Sequence, residues 1–129
     1  ELTYLNTHFD YEPAAIDGNA QCLRQWLDRH GQQTPLIVTG DFNDNKQSKA
    51  YRLLTGDGAL IDAFGWRHPA ETDAATFHAF GKPEEMAPID WILVSGHFRI
   101  LDAQIDRSRK GNLYPSDHYP VTAVLDWKA

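Results

Sequence analysis

Ile37-Val38-Thr39-Gly40-Asp41-Phe42-Asn43-Asp44 reads as a buried apolar strand that stops at Gly40 and presents Asp41 and Asn43 at its carboxyl end. A carboxylate and an amide two residues apart at a strand mouth can serve one reacting phosphate. The carboxylate can orient or deprotonate a water, and the amide N–H can hold a negative oxygen. Gly-Asp and Asn-Asp are also favoured turn chemistry, so the octapeptide alone leaves function and turn about evenly matched. Asp44 and Asn45 extend the polar loop and read as turn formers.

Upstream, Leu2 to His8 has β character. Asn6 and His8 are two apart on it and share one face, where both can hydrogen-bond phosphate oxygens or a leaving group. Asp10 to Pro13 is a loop. From Ala14 the apolar residues Ile16, Ala20, Leu23 and Leu27 recur at helical spacing, which predicts a helix to His30 stopped by Gly31. Pro35 to Thr39 is the next strand, apolar enough for burial on both faces. Downstream, Ser48 is placed to cap a short helix closed by Gly56. Leu60 to Phe64 reads as a short helix or an irregular segment. Thr76-Phe77-His78-Ala79-Phe80 alternates as a strand does, and residues 81 to 88 read as a polar loop. Ile89 to Ser95 is a strand, with Phe98 to Asp106 its antiparallel partner through Gly96-His97. Arg107 to Ser116 is a basic, glycine-containing loop, and Val121 to Trp127 alternates along a closing strand.

Asp90 interrupts an apolar run, Ile89 to Val94. A carboxylate there is costly unless paired. His118 is a suitable partner: Asp90 can accept its N–H, fix the tautomer and favour the imidazolium. An edge-strand carboxylate facing water is the plainer alternative. Ser116-Asp117-His118 lies between Pro115 and Pro120. It is a turn before a strand, or a tip from which Asp117 serves a metal and His118 a phosphate. Ser116 has no Gly-x-Ser-x-Gly surroundings, which weakens a serine-hydrolase reading. His78 is placed on the substrate side, as a residue lining a pocket. His30, His68 and His97 carry no assigned chemistry.

The 129 residues suffice for one domain, 1–129, with a real core. A net charge of −6 counts against a general nucleic-acid coat protein, though not against an enzyme gripping one phosphate. Cys22 is the single cysteine, which excludes an internal disulfide; its neighbours suggest a helical core position. No apolar run is long enough to span a bilayer. No leader is visible and the chain opens on Glu1, so its compartment stays open. Strand, helix, strand, helix and then several strands indicate α/β (α+β), with a mixed, largely antiparallel sheet and helices on one face.

Asn6-Thr-His8, Gly40-Asp-Phe-Asn43, Ile89-Asp90 and Ser116-Asp-His118, in this order, resemble the endonuclease/exonuclease/phosphatase superfamily. That group includes deoxyribonuclease-like nucleases, sphingomyelinases, inositol-polyphosphate phosphatases and deadenylases. Asn-Thr-His-Phe-Asp with Tyr-Pro-Ser-Asp-His-Tyr-Pro-Val is most similar to its bacterial members. The resemblance implies that Asp41 orients and activates the attacking water and that Asn43 steadies charge on phosphate. It implies that His118, oriented by Asp90, holds a phosphoryl oxygen or moves a proton. His8 then contacts phosphate or the leaving group, with Asn6 supporting it. Asp117 and Asp41 are the implied ligands of Mg²⁺ or Mn²⁺, hard cations suited to oxygen donors.

The family fold is a four-layer αββα sandwich of two related halves. Its first half supplies an early Asn and a metal-binding Glu after a Gln. Glu1 and Glu12 lack that context, so the chain resembles the carboxyl-terminal half. The resemblance thus implies a phosphoesterase whose isolated half has little or no activity. It also implies an apolar sheet face that self-associates or takes up the missing half. A non-catalytic domain binding a phosphorylated ligand or a partner protein is the competing expectation. Nucleic acid, phospholipid headgroup, sugar phosphate and inositol phosphate share the phosphoryl centre. Residues 65 to 88 and 107 to 115 are the loops expected to choose among them.

Overall fold

The computed structural model describes residues 1–30, 33–82 and 87–129. Among the described residues, six strands and three α-helices follow in order, with a 3-10 turn at Gly56–Gly58 after α2: β1 (Thr3–His8), α1 (Pro13–His30), β2 (Leu36–Asp41), α2 (Lys49–Thr55), β3 (Ile61–Asp62), α3 (Ala63–Arg67), β4 (Asp90–Val94), β5 (Phe98–Ile105) and β6 (Val121–Trp127). Pro13 opens α1, where its fixed φ costs nothing and its missing N–H is not needed. The Ser48 hydroxyl accepts the Tyr51 N–H at 3.0 Å and caps α2, which closes at Gly56. Gly31, expected to stop α1, lies outside the described residues, as does much of the loop expected at 81 to 88.

Four strands form one sheet in the order β1-β2-β4-β3. β1 runs parallel to β2, and β4 is antiparallel to both β2 and β3. Alternation divides this sheet cleanly. Leu36 and Val38 of β2, with Trp91 and Leu93 of β4, face a core made with Ile16, Ala20 and Leu27 of α1 and Ala50 and Leu54 of α2. Phe42 stacks on Trp91 with centroids 4.4 Å apart. Each fully buried side chain of this size contributes on the order of 1.5–3 kcal/mol. On the opposite face, Ile37, Ile61, Ile92 and Val94 meet α3 and the inward side of β5 and β6. β2 is therefore sandwiched between two layers, as its apolar run requires.

Four expectations are corrected. β5 pairs with β6 in a separate two-stranded sheet and not with β4. Both edges of β4 are already taken, by β2 and β3, so Gly96-His97 redirects the chain to the second layer. Thr76 to Phe80 is not a strand: Phe77 makes one isolated bridge to His118, and Ala79 and Phe80 turn away with positive φ. Leu60 to Phe64 resolves into β3 and the start of α3, where the Asp62 carboxylate caps Phe64 N–H at 3.1 Å. Cys22 is exposed, because the buried stripe of α1 runs through Ile16, Ala20 and Leu27 and misses it.

Asp62 also fixes the loop that leaves β2. Its carboxylate pairs with Lys46 Nζ at 2.8 Å and accepts the Tyr51 hydroxyl at 3.0 Å. Burial and the adjacent carboxylate push the Tyr51 hydroxyl far above its ordinary pKa. The loop carrying Asn43 is thereby anchored to α3. Among the described residues no helix is long and apolar enough to cross a membrane.

Candidate active site

Strand register builds the site. His8 ends β1 opposite Asp41, the last residue of β2, and Asp41 lies opposite Asp90, the first residue of β4. Residues directly across a ladder project from the same face, so all three reach one spot. Asn6 and Thr39 are the next such pair along the same face. At Gly40 the parallel strands approach so closely that a Cβ would overlap the Thr7 carbonyl oxygen. Glycine is therefore required just before Asp41.

His118 arrives from the loop before β6. Its Nδ1 lies 2.8 Å from Asp90 Oδ2, which leaves Nε2 turned toward Asp41 Oδ2 at 3.7 Å. His8 Nε2 lies 3.4 Å from the same Asp41 oxygen, and its side chain is 73% exposed. Asp41 Oδ1 accepts the backbone N–H of Asn43 at 2.9 Å. A cleft of about 530 Å³ contains Asn6, His8, Asp41, Asp90 and His118 in its lining. It opens on the part of the sheet that β5 and β6 leave uncovered.

Burial raises the Asp41 pKa most; the Asn43 N–H opposes this, Asp90 adds to it, and the His118 and His8 charges oppose it, with a net upward shift. Burial alone would lower His118, but the hydrogen bond to Asp90 and the charges of Asp90, Asp41 and Asp117 outweigh it and raise the imidazole. The pair is thus a carboxylate inclined to take a proton beside an imidazole inclined to keep one.

Other residues named from sequence are placed differently. Asn43 has φ +51°, and its side-chain amide donates to the Phe9 carbonyl at 2.7 Å, tying the loop to the end of β1. It is not among the residues lining the cleft. Asp117 faces Ser116, whose hydroxyl donates to it at 3.3 Å, and its own carbonyl accepts the N–H groups of His78 and Ala79. His78 is buried behind the cleft, its ring 4.1 Å from that of Tyr119 and 4.5 Å from that of Tyr114. Asn6 donates to Thr39 Oγ1 at 2.8 Å, and the Tyr4 hydroxyl shares that oxygen at 2.7 Å. Tyr4 and Thr39 escaped the sequence reading, although Tyr4 stands two residues from Asn6 on the same alternating face.

Among the described residues, Asp41, Asp90 and His118 form a group whose ligand atoms lie within 4.8 Å of one another. Two carboxylates and an imidazole are a sound donor set for a divalent ion such as Mn²⁺ or Mg²⁺. Asp90 is already bonded to His118, so Asp41 Oδ2 is the oxygen left to face a cation; His118 Nε2 can join it only as a neutral imidazole, and with its proton kept it faces an anion instead.

The sequence model of the endonuclease/exonuclease/phosphatase family matches residues 3–118. The chain belongs to that family. A mannosyl-6-phosphatase from Bacteroides thetaiotaomicron is 25% identical, with a TM-score of 0.75 over 95% of this chain and 50% of its own. A Bacteroides vulgatus family member is 29% identical, with a TM-score of 0.73 over 94% of this chain and 48% of its own. The human nocturnin catalytic domain, solved with bound sulfate, shares the fold at 21% identity and a TM-score of 0.67, over 96% of this chain and 47% of its own. The chain therefore spans about half the length of these structures. No curated protein sequence matches it. The α/β architecture and the membership expected from the four motifs both hold, and the fold is that of a family of hydrolases acting on phosphate esters.

Proposed function

We propose that this chain carries the water-activating half of a divalent-metal-dependent phosphoesterase. The observation that supports this most strongly is the Asp41 carboxylate oxygen lying within 3.7 Å of His118 Nε2 and 3.4 Å of His8 Nε2, with Asp90 fixing His118 from behind. Asp41, with its raised pKa, takes a proton from a water as that water's oxygen attacks phosphorus. His118, whose protonated form Asp90 favours, sits against a non-bridging oxygen where negative charge accumulates. The ester P–O bond breaks, and His8 at the exposed mouth meets the departing oxygen. Asn6 and Thr39 floor the approach to it. Asn43 holds the Asp41 carboxylate through its backbone N–H, and Asp117 adds negative charge near His118. Asp41 would help hold a divalent ion such as Mg²⁺ or Mn²⁺, which would supply Lewis-acid chemistry when bound.

The principal metal-binding Glu of the family has no counterpart here, so the chain is proposed to need a complementary half for full activity. A sugar phosphate is the first substrate to try, because a 25%-identical relative bears the name mannosyl-6-phosphatase. Nucleic acid, phospholipid headgroups and inositol phosphates are the comparison set, together with an aryl phosphodiester. Assays with Mg²⁺ and Mn²⁺ on this chain and on a form extended at its amino end test the proposal. Hydrolysis by the extended form, lost on chelation, is expected. Phosphate-ester binding with no turnover in either form favours the non-catalytic alternative instead.

A further inference from the structure

We propose that Thr76 is a positioning residue that sets the His118–Asp90 hydrogen bond; this rests on the reading of that pair as the working dyad. Asp90 and His118 are 28 positions apart and belong to different layers, yet their side chains meet at 2.8 Å. A hydrogen bond of that length fails when either backbone slips by an ångström. Something must hold the two backbones in step, and one short segment touches both.

Thr76 is fully buried. Its hydroxyl oxygen accepts two successive N–H groups, Ile89 at 3.1 Å and Asp90 at 3.2 Å. Its carbonyl accepts the Tyr119 N–H at 2.7 Å. The next residue, Phe77, bridges His118 and lays its ring edge-on against the imidazole at 5.0 Å. The N–H groups of His78 and Ala79 then close on the Asp117 carbonyl at 2.9 and 3.1 Å. Residues 76 to 79 therefore grip the whole Asp117–Tyr119 turn on one side and the start of β4 on the other. The Thr76 hydroxyl is the point where the two grips meet. Buried His78, stacked on Tyr119 with Nδ1 accepting the Gly81 N–H at 3.1 Å, keeps the segment from lifting. His78 thus belongs to the support behind the dyad.

A packing role and a positioning role predict opposite orders for two near-isosteric variants. Thr76→Val keeps the shape and removes the acceptor. Thr76→Ser keeps the acceptor and removes a methyl. Proton NMR of this chain reads the result directly through the downfield Nδ1–H resonance of His118, identified by its loss in Asp90→Asn. The resonance should survive in Thr76→Ser. In Thr76→Val it should vanish or exchange at least about tenfold faster, while β1 and β2 amide shifts stay in place. In a form that hydrolyses a phosphate ester, Thr76→Val should lower kcat by about 10- to 100-fold, on the order expected of a misplacement near 1 Å, with KM within about twofold. Thr76→Ser should restore kcat. A wild-type resonance in Thr76→Val, or greater damage in Thr76→Ser than in Thr76→Val, overturns the proposal. Should Thr76→Val not fold, Thr76→Ser decides: loss of the resonance overturns it, and retention with unchanged Ile89 and Asp90 amide shifts supports it. Absence of turnover in every form would count against the phosphoesterase reading and leave the NMR comparison intact.

Discussion

The Asp41 carboxylate stands at the mouth of β2 with its pKa raised, chiefly by burial. A folded pKa above the unfolded one means that folding takes up protons at this group. Its contribution is fully present below the unfolded carboxylate value, near 3.9, and is lost as pH rises through the folded one. At neutral pH the ionised group therefore opposes folding. Asp41→Asn is expected to raise the thermal midpoint at pH 7, read by calorimetry; an unchanged or lower midpoint would contradict this. His118 is also raised, so its stabilising contribution is complete below about pH 6.5 and fades as pH climbs through the folded pKa. Urea unfolding from pH 6 to 8 should show falling stability, and His118→Gln should flatten the slope. Equal slopes in the two proteins would remove the Asp90–His118 pair as the cause. Asp90 illustrates what one residue discloses: a carboxylate in an apolar strand demands a partner, and that demand is visible without coordinates. Thr76 illustrates the converse, since a buried threonine bonded to two N–H groups looks in sequence like any strand residue.

β1, β2 and β4 meet at the site because register puts His8, Asp41 and Asp90 side by side. Gly40 permits the approach of β1 to β2, so Gly40→Ala forces the Thr7 carbonyl aside. Overpacking of this kind costs about 1–3 kcal/mol. Chemical denaturation should register that loss, and full stability in Gly40→Ala would mean the strands have room to spare. Most elements could be read from their own residues. The period of Ile16, Ala20, Leu23 and Leu27 makes α1, and Ser48 marks the start of α2. The pairing of β5 could not be read this way. Two apolar strands joined by Gly96-His97 imitate a hairpin, and only the occupation of both β4 edges by distant strands forbids it. Thr76 to Phe80 alternates for a similar reason, because its contacts are made with the Asp117–Tyr119 turn and not within a sheet. The placement of Asp117 against the Ser116 hydroxyl, outside the Asp41–Asp90–His118 ligand group, depends on a turn that no local pattern specifies.

The molecule is layered, with α1 and α2 on one side of the main sheet and β5, β6 and α3 on the other. The second layer covers β4 and part of β2 and stops short of β1, so Tyr4, Asn6 and His8 stay exposed. The uncovered face thus presents Asn6 and His8 together with the exposed Tyr4 ring. β6 also exposes Val124, at 53%, and Trp127, at 54%. Gel filtration of the chain at rising concentration is expected to show self-association, weakened by Val124→Asp. A monomer at all concentrations would indicate that these strands need no cover. The chemistry itself is tested most directly by initial rates of phosphate-ester hydrolysis with Mn²⁺ or Mg²⁺ in the amino-extended form. Wild type, Asp41→Asn, His118→Gln and the double variant are compared. Loss of a general base or its partner should cost about 10²–10⁴ in kcat, with the double variant no worse than the poorer single one. Rates within threefold of wild type in either single variant would contradict a shared role for Asp41 and His118 at one phosphorus.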